Sequence, residues 1–332
     1  MIRQIMVDTP ENGGAPRRLL VIYNPTAGGR RRQRFEAVLA ELAGFGCSLD
    51  VRPTGGPGDA AALARAADPA GCDLVVAAGG DGTINEVING LVAGQVGGQV
   101  GGQVGGQVGA DAAGRGPLPL AVLPLGTANV LAAELGLDLV PANIARVIAG
   151  GPLRSVCLGQ ASVPGAPLRH FSLMAGAGFD ARVVDGVDLC MKRLLGKGAY
   201  LLEGFRQMSL KKPPPMRVTV DGEVHEAASV VVSKVRFYGG RYLLAPEARL
   251  ADPLLHVCLF RHGDALSILR YAAALQRGRL PGMAGFRIVT GRDIRIEGGP
   301  GAPLQADGDI IGRLPARIGV LPHGLRMAAA EV

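Results

Sequence analysis

Three glycine-rich turns carry the residue types that phosphate chemistry needs. The first is Asn24-Pro25-Thr26-Ala27-Gly28-Gly29. The second is Gly79-Gly80-Asp81-Gly82-Thr83-Ile84-Asn85-Glu86, and the third is Pro124-Leu125-Gly126-Thr127-Ala128-Asn129. Each follows an apolar run: Leu19–Tyr23, Asp73–Ala78 and Leu120–Pro124. Glycine lets backbone N–H groups approach an anion closely, and a helix that starts after the turn offers its N-terminus to a phosphate. Thr and Asn side chains add hydrogen bonds. An acid such as Asp81 would repel a nucleotide unless a metal ion intervened, or it is a helix-capping residue. Neither a Walker lysine loop nor a GxGxxG fingerprint occurs at these turns, which excludes a P-loop protein and an ordinary Rossmann dehydrogenase. Singly each turn is weak evidence; together they form a nucleotide phosphate cradle.

A second set of chemical groups lies near the other end of the chain, in Leu304-Gln305-Ala306-Asp307-Gly308-Asp309. A carboxylate can take a proton from a nucleophilic hydroxyl. Asp-Gly between strands is also a preferred hairpin turn, and spacing leaves both readings open. Other chemistries find no support. The five histidines, His170, His225, His256, His262 and His323, show no metal spacing and no HExxH, and no GxSxG element is present. The five cysteines, Cys47, Cys72, Cys157, Cys190 and Cys258, are scattered without a CxxC pair. They suit a reducing cytoplasm and read as small buried hydrophobes.

The elements that must position these groups change type midway. Up to Gly150, strand-like runs (Leu19–Tyr23, Cys47–Arg52, Asp73–Ala78, Leu120–Pro124) alternate with helical stretches (Gln33–Leu42, Asp59–Ala67, Asn85–Val92, Asn129–Leu135, Asn143–Ile148). Continuous apolar strands alternating with helices predict a parallel α/β sheet covered on both faces. In such a sheet ligands bind at the carboxyl ends of the strands, where all three turns would gather. After Gly150, strand-like runs at Arg154–Leu158, His170–Met174, Arg217–Val220, Ser229–Lys234, Leu254–Phe260, Phe286–Val289 and Asp293–Glu297 predict an antiparallel, sandwich-like domain. Helices are expected over Leu189–Leu210 and Asp264–Arg277. The domains are therefore 1–150, a nucleotide-binding α/β domain, and 151–332, a β-rich domain; packing of its C-terminal end back on the first is left open.

Hydrophobic residues make up 48% of the 332, enough for two cores. No apolar run reaches the roughly 20 residues of a membrane-spanning helix, and the N-terminus lacks a signal-peptide pattern. The net charge of +7 suits nucleic acid, anionic lipid or a phosphorylated substrate. Aromatic residues are only 4%, and helix-turn-helix and zinc-finger patterns are missing, so no nucleic acid partner is expected. Lys192, Arg193, Lys197, Arg206, Lys211 and Lys212 flank Leu194, Leu195, Tyr200, Leu201, Leu202, Phe205 and Met208. That basic amphipathic stretch reads either as a face for an anionic membrane surface or as an ordinary surface helix.

The segment GGDGTINE (Gly79–Glu86) resembles the nucleotide motif of diacylglycerol kinases, sphingosine kinases and bacterial lipid kinases. NPTAG (Asn24–Gly28), PLGTAN (Pro124–Asn129), AGAGFDA (Ala175–Ala181) and Tyr238-Gly239-Gly240 with Ala245-Pro246 follow in lipid-kinase order, from about Leu19 to Arg326. The resemblance implies that Asn24, Pro25, Thr26, Ala27, Gly28, Thr54, Gly80, Asp81, Gly82, Thr83, Ile84, Asn85, Glu86 and Thr127 hold ATP. It implies that Asp81 orients the phosphates and that Asp307 and Asp309 serve the general base, Asp309 standing where the family usually has Glu. It also implies a magnesium site at Asp252 with the carbonyls of Arg249 and Leu254, although Pro253 replaces the family's Gly; Val130 stands where relatives often carry Asp. The implied activity is phosphorylation of a lipid hydroxyl, of diacylglycerol or a related lipid, by a cytoplasmic protein at the inner membrane face, and a homodimer is left open. The competing readings are an NAD kinase-like metabolite kinase and a nucleotide- or lipid-binding module with weakened catalysis.

Between Gly94 and Gly109 the unit Gly-Gly-Gln-Val repeats in tandem. Such a segment cannot build a core and reads as an expanded loop. Loop length changes cost little entropy. Deleting Gly97–Gly106 is therefore expected to leave melting temperature and turnover near wild type, and a loss of several degrees would show that the repeat packs on something.

Overall fold

The computed structural model describes residues 16–26, 29–93, 116–179, 181, 215–299 and 301–330. The expected helix Leu189–Leu210, its basic residues and the Gly-Gly-Gln-Val repeat lie outside the described residues.

The first half runs β1 (Arg18–Tyr23), α1 (Gly29–Gly44), β2 (Ser48–Pro53), α2 (Asp59–Arg65), β3 (Leu74–Gly79), α3 (Asp81–Ala93), β4 (Leu120–Pro124), α4 (Val130–Glu134) and α5 (Pro141–Gly150). The strands lie in the order β2-β1-β3-β4, and every pair is parallel. Side chains alternate across a strand, and β3 shows why its whole run is apolar. Val75 and Ala77 enter a core with Ala60, Ala64, Ile84 and Ile88 of α2 and α3. Leu74, Val76 and Ala78 enter another with Phe35 and Val38 of α1 and Ile144 and Ile148 of α5. Both faces are covered, as expected for a parallel sheet. Gly90 lets α3 close on α2: a Cβ there would lie 2.3 Å from the Ala61 carbonyl oxygen.

The second half runs β5 (Leu153–Ser162), β6 (Arg169–Phe171), β7 (Met174–Ala177), β8 (Met216–Val220), β9 (Glu223–Ala227), β10 (Ser229–Ser233), β11 (Phe237–Tyr238), β12 (Tyr242–Leu243) and β13 (Leu255–Phe260). It continues with α6 (Ala265–Gln276), β14 (Phe286–Gly291), β15 (Asp293–Glu297), β16 (Pro303–Ala306), β17 (Asp309–Arg313) and β18 (Ala316–Ala328). An antiparallel sheet, β14-β13-β10-β7-β16-β17, packs against a second layer containing β18, β15, β8 and β9. Val230, Val232, Val257 and Leu304 of the first meet Val218, Ile294 and Ile318 of the second, so the layers form a sandwich. Helix α6 begins at Asp264, whose side chain accepts from the Ser267 N–H, an N-cap of the expected kind.

The two halves are not separate sheets. Strand β18 pairs antiparallel with β5 and β15 and, at its far end, parallel with β4, through Met327 and Leu120. One ten-stranded sheet therefore runs from β2 to β9. Pairing between β18 and β5 is irregular between Leu321 and Leu325, where His323 takes a left-handed φ of 49°. That bulge, with Pro322 inside it, interrupts the strand pattern in the sequence.

A buried polar joint fixes the halves in register. Asp307 and Gly308 connect β16 to β17 with φ values of 47° and 90°. A two-residue turn with both φ positive is the hairpin connection that Asp-Gly favours. The turn aims the Asp307 carboxylate inward. One oxygen accepts from the Leu173 and Met174 N–H groups at 3.0 and 2.9 Å. The other accepts from Ser172 N–H at 2.8 Å, Ser172 Oγ at 3.2 Å and Asn85 Nδ2 of α3 at 2.7 Å. Asn89, one turn further along α3, exchanges two bonds with the His170 backbone, both at 2.9 Å. Burial pushes Asp307 up to about 6 against the pull of these donors, so it is ionised at neutral pH. Asp307→Asn replaces an acceptor oxygen with an amide that faces N–H groups. It is expected to cost about 2–5 kcal/mol of stability, read as a lower urea midpoint; a wild-type midpoint would remove the joint from the account of the fold.

Candidate active site

The three glycine turns meet at the carboxyl ends of β1, β3 and β4, and short contacts cross-link them. Asn24 Nδ2 donates to Thr83 Oγ1 at 3.1 Å, joining the first turn to the second. Thr26 donates through its N–H and its hydroxyl to Asn24 Oδ1. The second and third turns touch backbone to backbone: a Cβ on Gly126 would lie 2.6 Å from Gly80 Cα and 2.7 Å from Asn129 Oδ1. A side chain on Gly79 would come within 2.8 Å of all three side-chain heavy atoms of Thr83. Asn129, at a left-handed φ of 48°, closes the third turn by accepting from the Gly126 N–H at 2.7 Å. Thr26, Gly82 and Thr127 stand exposed at the lip. Thr54 sits beside the first turn, its N–H donating to the Tyr23 carbonyl at 2.8 Å. Ala27 and Gly28 lie outside the described residues.

Two of the expected nucleotide contacts point elsewhere. Ile84 is packed in the core of the first domain, and the Asn85 side chain is committed to Asp307 and to the His170 carbonyl. Helix α3 begins at Asp81, earlier than the sequence pattern indicates, so Gly82–Glu86 are its first turns and only one face looks toward the cradle. Glu86 accepts from the Gly58 N–H at 3.0 Å and ties down the glycine-rich loop after Thr54.

Asp81 is a helix-end carboxylate, but it caps a neighbouring helix. Its oxygens accept from the Val130 and Leu131 N–H groups at 3.2 and 3.3 Å, at the start of α4. Burial pushes its carboxyl above the ordinary range while these backbone donors oppose the shift. Val130 uses its main chain here and buries its side chain.

Sequence reasoning missed three groups. Arg31 donates to Thr127 Oγ1 at 2.8 Å, and Arg34 to the Pro124 carbonyl at 3.1 Å, so α1 lays positive charge across the third turn. The run Arg30-Arg31-Arg32 directly after the first turn was the available signal. Glu134, at the end of α4, accepts from the Arg236 and Phe237 N–H groups and pairs with the Arg236 guanidinium at 3.2 Å, a second bridge between the domains.

The two aspartates of the Asp-Gly-Asp element separate in role. Asp307, expected to serve the base, has both oxygens taken up in the interdomain joint and is 9% exposed. Asp309 is half exposed and ion-paired with Arg169 at 3.2 Å. It stands two residues beyond a group bonded to α3, one turn from the helix end that opens the cradle.

The expected magnesium loop does not fit a metal. The carbonyl oxygens of Arg249, Asp252 and Leu254 accept instead from Lys234 Nζ, at 3.1, 2.5 and 3.2 Å. Lys234 is fully buried, and burial lowers its ammonium to about 8, still protonated at neutral pH. Among the described residues no group of three or more His, Cys, Asp or Glu side chains could hold a metal.

An apolar cavity of about 140 Å³ lies between α6 and the sheet of β10 and β13. Phe179, Val231, Tyr238, Phe260, Tyr271 and Leu275 are among its walls. Phe179 and Tyr238 come from two of the elements singled out in the sequence, AGAGFDA and Tyr238-Gly239-Gly240. Cys47, Cys72, Cys157 and Cys258 are buried and free, as small hydrophobes would be.

Residues 18–161 match the diacylglycerol kinase catalytic domain, and residues 174–329 match the YegS C-terminal NAD kinase beta sandwich-like domain. The "Diacylglycerol kinase" of Bacillus subtilis is 27% identical, over 90% of this chain and 92% of its own. The protein named "Probable lipid kinase YegS-like" in Chromohalobacter salexigens is 31% identical, over 86% of this chain and 85% of its own. A crystal structure of a diacylglycerol kinase from Bacillus anthracis superposes with a TM-score of 0.71 at 24% identity, covering 96% of this chain and 98% of that one, and shows the shared fold. With a glycine-turn cradle in an α/β half and a sandwich half joined to it through Asp307, the chain belongs to the diacylglycerol kinase-like lipid kinase family.

Proposed function

We propose that the protein transfers the γ-phosphate of magnesium-bound ATP to the hydroxyl of diacylglycerol or a related membrane lipid. The observation that carries this reading is the joint between Asn85 and Asp307. It ties α3, the helix that opens at the second glycine turn, to the Asp-Gly turn directly before a half-exposed carboxylate, Asp309. Backbone N–H groups of Gly80 and Gly82, with Thr26, Thr83 and Thr127, would hold the phosphates, and Arg31 and Arg34 would offset their charge. Phosphoryl transfer then needs little beyond positioning, charge neutralisation and a base at the nucleophile. Asp309 accepts the hydroxyl proton, the lipid oxygen bonds to the γ-phosphorus, and the bond to ADP breaks. Arg169 holds Asp309 in place as its ion-pair partner.

Lipid as the acceptor is supported by the apolar cavity under α6 and by the outer face of that helix. Leu266 and Leu269 are 56% and 45% exposed there. Arg270 on the same helix is exposed too, as are Arg261, Arg277 and Arg279 flanking it. Apolar side chains that enter a headgroup layer beside guanidinium groups suit an anionic membrane surface. Among the described residues no helix is long and apolar enough to cross a membrane; docking at a membrane surface is the reading that the exposed side chains of α6 favour.

Incubation with labelled ATP and a panel of lipids in mixed micelles tests the reaction: a diacylglycerol should become labelled, and absence of label on every lipid would defeat the proposal. Asp309→Asn should lower kcat at least about 100-fold, the lower range for a lost general base, without a change in melting temperature. Asp309→Glu should keep or raise activity, because the longer side chain still reaches the hydroxyl. Full activity of the Asn variant would move the base elsewhere. Binding to anionic vesicles should weaken as salt rises, and Leu266→Ser with Leu269→Ser should weaken it at every salt concentration; equal binding to neutral vesicles would remove α6 from the docking face.

A further inference from the structure

The loop Arg249–Leu254 turns three carbonyl oxygens toward one point, the kind of oxygen cradle a hard divalent ion takes. That point is occupied by a covalently tethered cation. Lys234 directly follows β10, and its Nζ reaches all three carbonyls within hydrogen-bond distance. An ammonium has three donors and no acceptor, so three carbonyls satisfy it completely. The side chain is fully buried, leaving no solvent partner to compete.

The rest of the loop is equally committed. The Leu250 carbonyl accepts from the Cys157 N–H at 2.8 Å, and the Ala251 carbonyl from Cys157 Sγ at 3.1 Å. The Arg249 carbonyl also accepts from the Asp252 N–H at 3.3 Å, which closes the turn. Pro253 has a fixed φ and no N–H to satisfy, so it shapes the loop without an ion. Magnesium would need ligands at about 2.0–2.1 Å in octahedral array, and its charge would repel an ammonium at the same centre. The two cations exclude each other.

We propose that Lys234 is a resident cation: its ammonium permanently fills the carbonyl cradle of residues 249–254, so the loop binds no divalent ion and the second domain folds without one. The Lys234 main chain also donates to the Leu173 carbonyl at 2.8 Å, and the Leu173 N–H donates to Asp307. The filled cradle therefore supports the interdomain joint as well as its own loop. Magnesium would enter this protein with the nucleotide alone. The filled cradle is a property of the folded protein without nucleotide, whichever lipid is phosphorylated.

Melting of the full chain without nucleotide, in chelator and in millimolar magnesium, tests the proposal. Wild type should melt at the same temperature in both. Lys234→Ala should melt about 5 °C or more lower in chelator, the consequence of leaving buried carbonyls unpaired. Magnesium, calcium or methylammonium should restore part of that loss by entering the vacated cradle. Lys234→Met keeps an apolar stem in the channel; it should lose stability and regain none. A Lys234→Ala protein as stable as wild type in chelator would overturn the proposal. Crystals of the wild-type protein soaked in manganese give an answer that needs no variant. No anomalous peak is expected at the carbonyls of Arg249, Asp252 and Leu254, and a peak there with the lysine displaced would also overturn it.

Discussion

A carboxylate taken out of water must find hydrogen-bond donors or lose its charge. Asp307 finds five, four from the segment Ser172–Met174 and one from Asn85 on α3. The donors come from both halves of the chain, so the charge is satisfied only when the halves are docked. Much else follows from that requirement. The left-handed turn at Asp307 and Gly308 is the conformation that turns the carboxylate inward. The same turn leaves Asp309 on the outside. Helix α3 is held by the side chains of Asn85 and Asn89, which leaves its first turn to the glycine cradle.

The other buried charges follow the same physical solution. Asp81 is met by the first amides of α4, Glu134 by the amides of Arg236 and Phe237, and Lys234 by carbonyls of the following loop. Main-chain dipoles do the neutralising in each case, with a side-chain ion pair added only at Glu134. Backbone groups are fixed by the fold and cannot swing to another partner, so these charges lock geometry more firmly than surface ion pairs do. Arg31 and Arg34 of α1 donate to a threonine hydroxyl and a carbonyl at the third turn. Their positive charge remains available to an anion.

Legibility from sequence tracked how local each feature is. Strands β1, β3 and β4 announce themselves because both faces are buried, and the turns after them by glycine, Thr and Asn. The start of α6 is visible in Asp264 and Ser267. The joint is not, because Asp-Gly carries the same hairpin signal whether its carboxylate is buried or solvated. Lys234 closes the strand-like run Ser229–Lys234 with no local mark of burial; its burial depends on a loop 15 to 20 residues later. Glu134 and Arg236 are 102 residues apart, beyond the reach of any periodicity. The resemblance puts a magnesium site at Asp252 with the carbonyls of Arg249 and Leu254, and the contact that Lys234 makes with the carbonyls of all three residues comes from the end of a different strand. Strand β18 was missed because Pro322, His323 and Gly324 break its alternation at the bulge.

That strand also sets the order in which the protein can be completed during synthesis. The ribosome makes β4 by Pro124, but the strand that pairs with its first residue, through Met327 and Leu120, begins at Ala316. At about 5–20 residues per second the interval is on the order of ten to forty seconds. Throughout it, the nascent α/β half presents the Leu120 end of β4 as an unpaired apolar edge, the kind of template on which other chains add. The glycine cradle can form early, but its sheet stays open on one side until β18 arrives. Chains that stop before residue 316 would carry an assembled α/β half with an adhesive border, a natural target for chaperones and proteases.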